Sequence, residues 1–315
     1  MRSSVDPFLR TFAPMIGLVL AGAGAAIGAL WLTLRQRQTA LVREIWLRWV
    51  AWLGITAVVL GALALGRTTW IVLVGLMSVA AFREYGRAVG LWMDRALEGV
   101  VYLFIALIAA CAWWPYDPES PGLGWYGLFM AMPVYATLAI LLVPIVRDRF
   151  EHMLQKTCLA ILGVIYFGWL LGHLAYLINL PSGVGLILFL SFLVGINDVA
   201  AFVSGKLFGR HKLRPTLSPG KTWEGAAGAF VIVLALAWQL RWLVPAYPPG
   251  HLFAIAALIS VTGMLGDLAL SAIKRDVGIK DWSGAIPGHG GLLDRANSMI
   301  FSVPIFFHYT RYFFT

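Results

Sequence analysis

Apolar residues occur along this chain in runs of about 20, which is the length that spans a bilayer as an α-helix. Short polar segments separate the runs. The pattern predicts ten membrane-spanning helices, over residues 12–34, 46–66, 68–82, 97–115, 125–146, 157–179, 183–204, 226–245, 251–273 and 296–314. Only Gly66 and Arg67 separate the second run from the third, so these two helices should form a tight hairpin. The expected fold class is an all-α polytopic membrane protein.

Composition supports this class. The chain is 60% hydrophobic and 12% charged, whereas ordinary soluble domains are about 25% charged. A net charge of +9 would suggest nucleic-acid binding in a soluble protein. Here most of the 24 Lys and Arg residues fall in the loops after the odd-numbered spans. The positive-inside rule places those loops in the cytoplasm. We expect a multi-pass protein of the bacterial inner (cytoplasmic) membrane, with membrane lipids and no nucleic acid among its partners.

The chain divides into two regions by chemistry. Residues 1–150 form N-terminal membrane helices of unassigned role, and the motif Phe82–Tyr85 favours a helix-end ion pair over substrate contact. Residues 151–315 contain two polar segments, 197–225 and 266–298, on the same predicted side. These segments should share one cytoplasm-facing active site.

Carboxylates in the second polar segment suggest a cation site. Asp267, Ser271 and Lys274 are spaced i, i+4, i+7 and share a helical face. An intramembrane Asp is a functional hypothesis by default, although a structural pair with Lys274 is the alternative. Asp294 and Asn297 lie one helical turn apart, and with Asp267 they would offer Mg²⁺ its preferred oxygen ligands. A second cation is left open.

Basic residues and glycines near these acids suit phosphate groups. Glycines before a helix start let backbone amides approach an anion, and the helix N-terminus adds partial positive charge. Positive-inside charge is the competing explanation for the bases. The candidates in this segment are Ser271, Arg275, Lys280, Asp281, His289, Gly290, Gly291 and Arg295.

The first polar segment adds a second set of phosphate candidates. Asp198 lies near the cytoplasmic end of the seventh span and could pair with Lys206 or position a nucleotide or metal. The run from Ser218 to Gly225 reads SPGKTWEG and lacks the spacing of a Walker A loop. Its hydroxyl, lysine and glycine content still suits a phosphate loop, with Ser218, Lys221, Thr222 and Glu224 as candidates.

At these residues the chain resembles the phosphatidate cytidylyltransferase (CDP-diacylglycerol synthase) family. The family signature is S-x-x-K-R-x4-K-D-x5-P-x-H-G-G-x-x-D-R-x-D. This chain matches it from Ser271 through Lys274, Arg275, Lys280, Asp281, Pro287, His289, Gly290, Gly291, Asp294 and Arg295, and ends it with Asn297. The upstream D-x-x-A at Asp198 and the SPGKTWEG run also match family motifs. The resemblance covers about residues 190–315.

The resemblance implies a CTP-dependent nucleotidyltransferase of phospholipid biosynthesis. It would convert CTP and phosphatidic acid to CDP-diacylglycerol and pyrophosphate. Asp267, Asp294, Lys274, Lys280 and Asp281 would be catalytic. Asp267 and Asp294 would bind Mg²⁺ together with residue 297, where this chain departs from the family by having Asn.

A second departure is Leu270, where the family commonly has an acid. Three alternatives are left open, the last because an intramembrane Asp with inward-facing bases also suits ion coupling. The chain could be a family member acting on another lipid phosphate, a catalytically impaired lipid-binding paralogue, or a transporter. A homodimer is left open as the assembly state.

Overall fold

The computed structural model describes residues 6–34, 39–114, 125–284 and 290–315, and most of these residues are helical. The helices are α1 (Pro7–Leu34), α2 (Thr39–Leu65), α3 (Arg67–Ala88), α4 (Arg95–Trp113), α5 (Tyr126–Val146), α6 (Met153–Gly163), α7 (Leu171–Leu177), α8 (Gly183–Phe208), α9 (Trp223–Gln239), α10 (Pro249–Asp276) and α11 (Leu293–Phe314). A π-helical stretch, Val164–Leu170, joins α6 to α7. Short 3₁₀ turns lie at Leu91–Met93 and Arg241–Leu243.

Six helical segments of the described residues are long and apolar enough to cross a membrane. They lie in α1, α4, α5, the continuous stretch Met153–Leu177, α8 and α10. Trp49–Leu65 and α9 are apolar but shorter. The protein is therefore a multi-pass membrane protein, as the apolar pattern indicated. The count of ten spans stays a prediction.

Two helix boundaries differ from the predicted spans in a way that matters for function. The third span was predicted to end at residue 82, but α3 continues to Ala88 and so carries Glu84 as a helical residue. The last span was predicted to begin at residue 296, but α11 begins at Leu293, which places Asp294 in its first turn. Hydropathy marks where a chain enters hydrocarbon, whereas these helices extend past that boundary into the polar layer.

The all-α class needs one correction, because the SPGKTWEG run contains a strand. Strand β1 (Lys212–Arg214) pairs antiparallel with β2 (Ser218–Thr222), with an irregularity in the register. Leu213 is buried between two exposed neighbours, the alternation of a half-buried strand. Helix-length apolar runs carry no signal for such a short hairpin.

The predicted hairpin of the second and third spans is confirmed. Helix α2 ends at Leu65 and α3 begins at Arg67. Gly66 between them has φ of 105°, a backbone conformation that strongly favours glycine. The Arg67 side chain donates to Asn179 Oδ1 at 2.6 Å and to the carbonyl of Ala112 at 2.8 Å, which ties α3 to neighbouring helix ends.

The core contains large apolar side chains from both regions of the chain. Phe82 and Tyr85 of α3 are fully buried, as are Phe167 and Phe306. A Cβ at Gly163 would lie 2.8 Å from the Phe82 ring, so glycine there permits the close packing of α6 on α3. This packing holds the C-terminal end of α3 in a fixed position next to the C-terminal region. The division at residue 150 stays a prediction.

Candidate active site

The ends of several helices and the β-hairpin meet at one end of the bundle. The C-terminal parts of α3, α8 and α10 lie here with the N-terminal turns of α9 and α11. Strand β2 connects to this group because its Lys221 reaches α10. The two polar segments that sequence analysis singled out are therefore brought together, as expected.

Asp267 is the centre of the first contact group. One of its carboxylate oxygens forms an ion pair with Lys221 Nζ, and the other accepts a hydrogen bond from Asn297 Nδ2. The Lys221 and Asp267 side chains are 24% and 22% exposed, so solvent and a ligand can reach both. The oxygen of Asn297 accepts from the backbone N–H of Ser298 at 2.9 Å. In this arrangement Asn297 faces Asp267 as a hydrogen-bond donor.

Asp198 lies beside this group, on α8. Ser298 Oγ donates to its two carboxylate oxygens at 3.0 and 2.9 Å. Asp198 also lies within electrostatic range of Asp267, Lys221 and Arg295. Helix α11 therefore contacts two carboxylates from different helices, Asp267 and Asp198, through the consecutive residues Asn297 and Ser298.

Asn197, the residue before Asp198, fastens α8 to α10. Its Oδ1 accepts from Ser260 Oγ at 2.7 Å, and both residues are buried. Sequence analysis assigned no role to Asn197, Ser260 or Ser298. A usable signal was present, because polar residues inside apolar runs are costly unless they are paired.

Asp294 is held differently from Asp267. Its Oδ1 accepts from Lys274 Nζ at 2.8 Å, and the two side chains are only 6% and 11% exposed. Its Oδ2 accepts from the backbone amides of Trp282 at 3.1 Å and Gly291 at 3.0 Å. Both oxygens of Asp294 are thus engaged by donors of the protein itself. These bonds attach Trp282 and Gly291 to α10 and to the start of α11. We call the segment between α10 and α11 the signature loop.

Glu84 of α3 is a participant that sequence analysis did not foresee. Its Oε1 accepts from Ser283 Oγ at 2.6 Å and from the amide of Leu292 at 3.0 Å, and its Oε2 accepts from the amide of Leu293 at 2.9 Å. A carboxylate at a helix N-terminus satisfies orphan amides and complements the helix dipole. The structure therefore shows Glu84 as a cap of α11, whereas the sequence favoured a helix-end ion pair.

The glycine pair of the signature accommodates these two carboxylates. Gly290 has φ of 78°, and a Cβ there would lie 2.8 Å from Asp294 Oδ2. A Cβ on Gly291 would lie 2.5 Å from Glu84 Oε2. Any larger residue would displace a capping carboxylate. The role of both glycines in phosphate binding stays a prediction, and His289 lies outside the described residues.

The SPGKTWEG run splits into a strand and a helix start. Thr222 Oγ1 accepts from the Gly225 amide at 3.1 Å, and so caps α9. The Glu224 carboxylate accepts from the Arg210 amide at 3.0 Å and pairs with His211 Nδ1 at 2.6 Å. Hydrogen bonds from the His211 side chain and the Arg210 backbone lower the pKa of Glu224 to about 2. Ser218 pairs in register with Arg214.

The other predicted residues lie around this group. Arg275 donates to the carbonyls of Leu217 and Ile279, both at 3.3 Å, and so holds the hairpin loop against the end of α10. Ser271 is buried on the face of α10 that it shares with Lys274. Lys280, Asp281 and Arg295 are exposed, as are Asp198 and Arg275.

The carboxylates allow a test of whether the site suits a divalent cation. The described residues contain no group of three or more His, Cys, Asp or Glu side chains arranged to hold a metal. Mg²⁺ in nucleotide enzymes usually needs only one or two carboxylates, because substrate phosphates and water complete its shell. Asp198 and Asp267 meet this lower requirement, since they come from different helices and are hydrogen-bonded to consecutive residues of α11.

Carboxylates opposed by lysines at the end of a membrane-embedded bundle are suited to phosphoryl or nucleotidyl transfer. Comparison with known proteins identifies which of these two reaction classes applies. The sequence model described as the cytidylyltransferase family matches residues 46–313. The chain therefore belongs to the cytidylyltransferase family. This membership confirms the expectation of a CTP-dependent nucleotidyltransferase and the resemblance on which it rested.

Two curated relatives show how the likeness is distributed. The uncharacterized protein YnbB of Escherichia coli K12 is 34% identical over 283 residues, which are 85% of this chain and 88% of that protein. The phosphatidate cytidylyltransferase of Staphylococcus haemolyticus is 34% identical over 191 residues, 60% of this chain and 72% of that enzyme. The family match begins at residue 46 and so includes α3, well before the signature.

Proposed function

We propose that the chain transfers a cytidylyl group from CTP to the phosphate of phosphatidic acid. The products are CDP-diacylglycerol and pyrophosphate, which places the reaction in phospholipid biosynthesis. The observation that carries the proposal is the pairing of Lys221 with Asp267 beside Asp198, at one end of a membrane bundle of this family. Relatives named phosphatidate cytidylyltransferase support the choice of lipid.

The reaction requires positioning and charge neutralisation more than proton transfer. An oxygen of the lipid phosphate, already anionic near neutral pH, forms a bond to the α-phosphorus of CTP. The bond from that phosphorus to the oxygen bridging to the β-phosphate breaks, and pyrophosphate leaves with the electron pair. Aligned, desolvated reactants supply much of such a rate enhancement. Lys221, Arg295 and Lys280 are the cations we assign to the phosphates, because none of the three is buried.

Asp267 and Asp198 are the residues that would hold Mg²⁺. When bound, the cation offsets negative charge on the nucleotide phosphates. Asp294 is excluded from this proposed role because its side chain is only 6% exposed, against 22% for Asp267, and its oxygens are held by buried Lys274 and two backbone amides. In this proposal Asp294 fixes the signature loop, and Asn297 orients Asp267.

The distribution of basic residues among the loops supports a reaction at the cytoplasmic face. The loops at this end of the bundle hold most of the chain's Lys and Arg residues, and basic loops face the cytoplasm. A lipid substrate can keep its acyl chains in the bilayer while its phosphate reaches the Asp267 group. We infer an inner-membrane location on the same grounds.

A second candidate substrate is a different lipid phosphate. Asn297 replaces the acid that the family usually has at this position, and its amide donates to Asp267. Fewer carboxylates near the cation change the charge that the acceptor meets.

Purified protein with CTP labelled at the α-phosphate separates these candidates. It is assayed with Mg²⁺ and phosphatidic acid, lysophosphatidic acid or an isoprenoid phosphate, and labelled lipid and pyrophosphate are scored. Asp267→Asn should abolish labelling. Asp276→Asn, an exposed carboxylate on the same helix, should leave it unchanged. Labelling of another lipid alone would favour the second candidate, and no labelling by folded protein would refute both.

A further inference from the structure

We infer that Glu84, in the third helix of the chain, is a positioning residue for the transfer reaction. It acts by fixing the first turn of α11. The inference rests on the proposed function, because the residues contacting Asp267 and Asp198 lie in the helical turn that follows directly. It also assigns a mechanical role to the N-terminal helices, whose other described residues contribute no side chain to the proposed site.

The contact is specific in its geometry. Glu84 receives three hydrogen bonds, from the Ser283 hydroxyl at 2.6 Å and the Leu292 and Leu293 amides at 3.0 and 2.9 Å. The first amides of a helix have no partner within the helix. Glu84 therefore supplies what a local capping residue usually supplies, although it lies about two hundred residues earlier in the chain.

The part of α3 that contains Glu84 is held firmly by its neighbours. The next residue, Tyr85, is fully buried, and its hydroxyl donates to the Leu159 carbonyl at 3.1 Å. The Tyr85 ring also packs on Trp282, with ring centroids 6.1 Å apart. The Trp282 amide in turn donates to Asp294. The contacts of Tyr85 therefore fix the position of Glu84 relative to Trp282 and Asp294.

Helix α11 connects the Glu84 cap to the proposed reacting groups. Asn297 and Ser298 lie just beyond the capped turn, and they hold Asp267 and Asp198. A tilt or unwinding of this turn would move both carboxylates relative to the phosphates. Misplacement of about 1 Å by a distant change can lower a rate about a hundredfold.

The first experiment compares Glu84→Gln and Glu84→Ala with a matched control. Asp94→Asn removes a carboxylate that also caps a helix, since Asp94 accepts from the Leu97 amide at 3.3 Å. We expect the Glu84 variants to lower kcat by about ten- to hundredfold with little change in the KM for CTP. The Asp94 variant should retain kcat. A higher KM for CTP with unchanged kcat would overturn the inference. An equal fall of kcat in all three variants would overturn it as well.

A suppressor pair tests the contact itself. A Cβ on Gly291 would lie 2.5 Å from Glu84 Oε2, so Gly291→Ala should lower kcat by displacing the carboxylate. In the Glu84→Ala background the obstruction is gone. The second substitution should then change kcat by no more than about twofold, the usual scatter of additive effects. Gly290→Ala should not be relieved, because its obstruction is Asp294 and its φ is positive. Independent losses from Gly291→Ala in both backgrounds would refute the contact.

Hydrogen exchange separates this inference from the proposed function. The amides of Leu292 and Leu293 should exchange faster in Glu84→Ala than in wild type or Asp94→Asn, whatever lipid the enzyme uses. Faster exchange in a protein without cytidylyltransferase activity would keep the capping contact and reject the reaction. Unchanged exchange at both amides would reject the positioning role even if the enzyme is active.

Discussion

Replacing Asp294 and Asp267 by asparagine should separate stability from catalysis. Asp294 and Lys274 form an ion pair with side chains only 6% and 11% exposed. In Asp294→Asn the lysine stays buried without its counter-charge. Breaking one side of a buried pair costs about 3–5 kcal/mol, a large share of the roughly 5–15 kcal/mol that stabilises a typical protein.

Asp267→Asn should behave differently because its pair is partly solvated. Lys221 and Asp267 are 24% and 22% exposed, and pairs that water reaches contribute about 0–1 kcal/mol. The free energy of unfolding should therefore change little. Activity should still be lost, because Asp267 is a proposed cation ligand. Both variants become inactive, but only the Asp294 variant becomes unstable.

The assay measures unfolding and turnover on the same detergent-solubilised preparations. A third protein, Asp294→Asn with Lys274→Met, removes the unpaired buried charge. It should recover much of the stability and none of the activity. The reasoning is refuted if Asp294→Asn unfolds like wild type, which would return Asp294 to the cation shell. Equal destabilisation by the two single variants would refute the distinction between the pairs.

Three further changes test separate parts of the site. Lys221→Ala should weaken CTP binding about tenfold or more, as loss of a charge-assisted contact implies, and a larger loss of lipid binding would move Lys221 to the lipid subsite. Asn297→Asp replaces the amide donor to Asp267 with a carboxylate, so Mg²⁺ affinity should rise with ligand charge; an unchanged Mg²⁺ titration would place residue 297 outside the cation shell. The pKa of Glu224 is lowered from 4.5 to about 2, first by His211, so its carboxylate stabilises the fold above pH 4.5 and this stabilisation is lost as pH falls toward 2. Glu224→Gln should abolish that acid dependence in a pH series of unfolding measurements.

The helices could be predicted from sequence because each rests on a local pattern. Apolar runs located α4, α5 and α8 to within a few residues. The tight turn at Gly66 followed from its position between two runs. The β-hairpin was missed because its only buried apolar residue, Leu213, gives no signal at helix length.

The site was predictable in composition but not in pairing. Sequence motifs correctly brought Lys221, Asp267 and Asn297 to one place. They could not show that Lys274 pairs with Asp294 across 20 residues. Helical spacing had made Asp267 the alternative partner of Lys274, because both lie on one face of α10. Which lysine meets which carboxylate depends on the fold of the signature loop, and spacing along one helix does not contain that information.

The first turn of α11 explains why distant parts of the chain act together. Glu84 binds its amides, and Asp294 within it pairs with α10. Asp267 and Asp198 are hydrogen-bonded to two residues one turn further on. Each of these four carboxylates is thus bonded to a group between residues 291 and 298. Where catalysis depends on positioning, a rotation of this one turn alters all four contacts together. The turn is therefore where a change in the N-terminal helices would reach the chemistry.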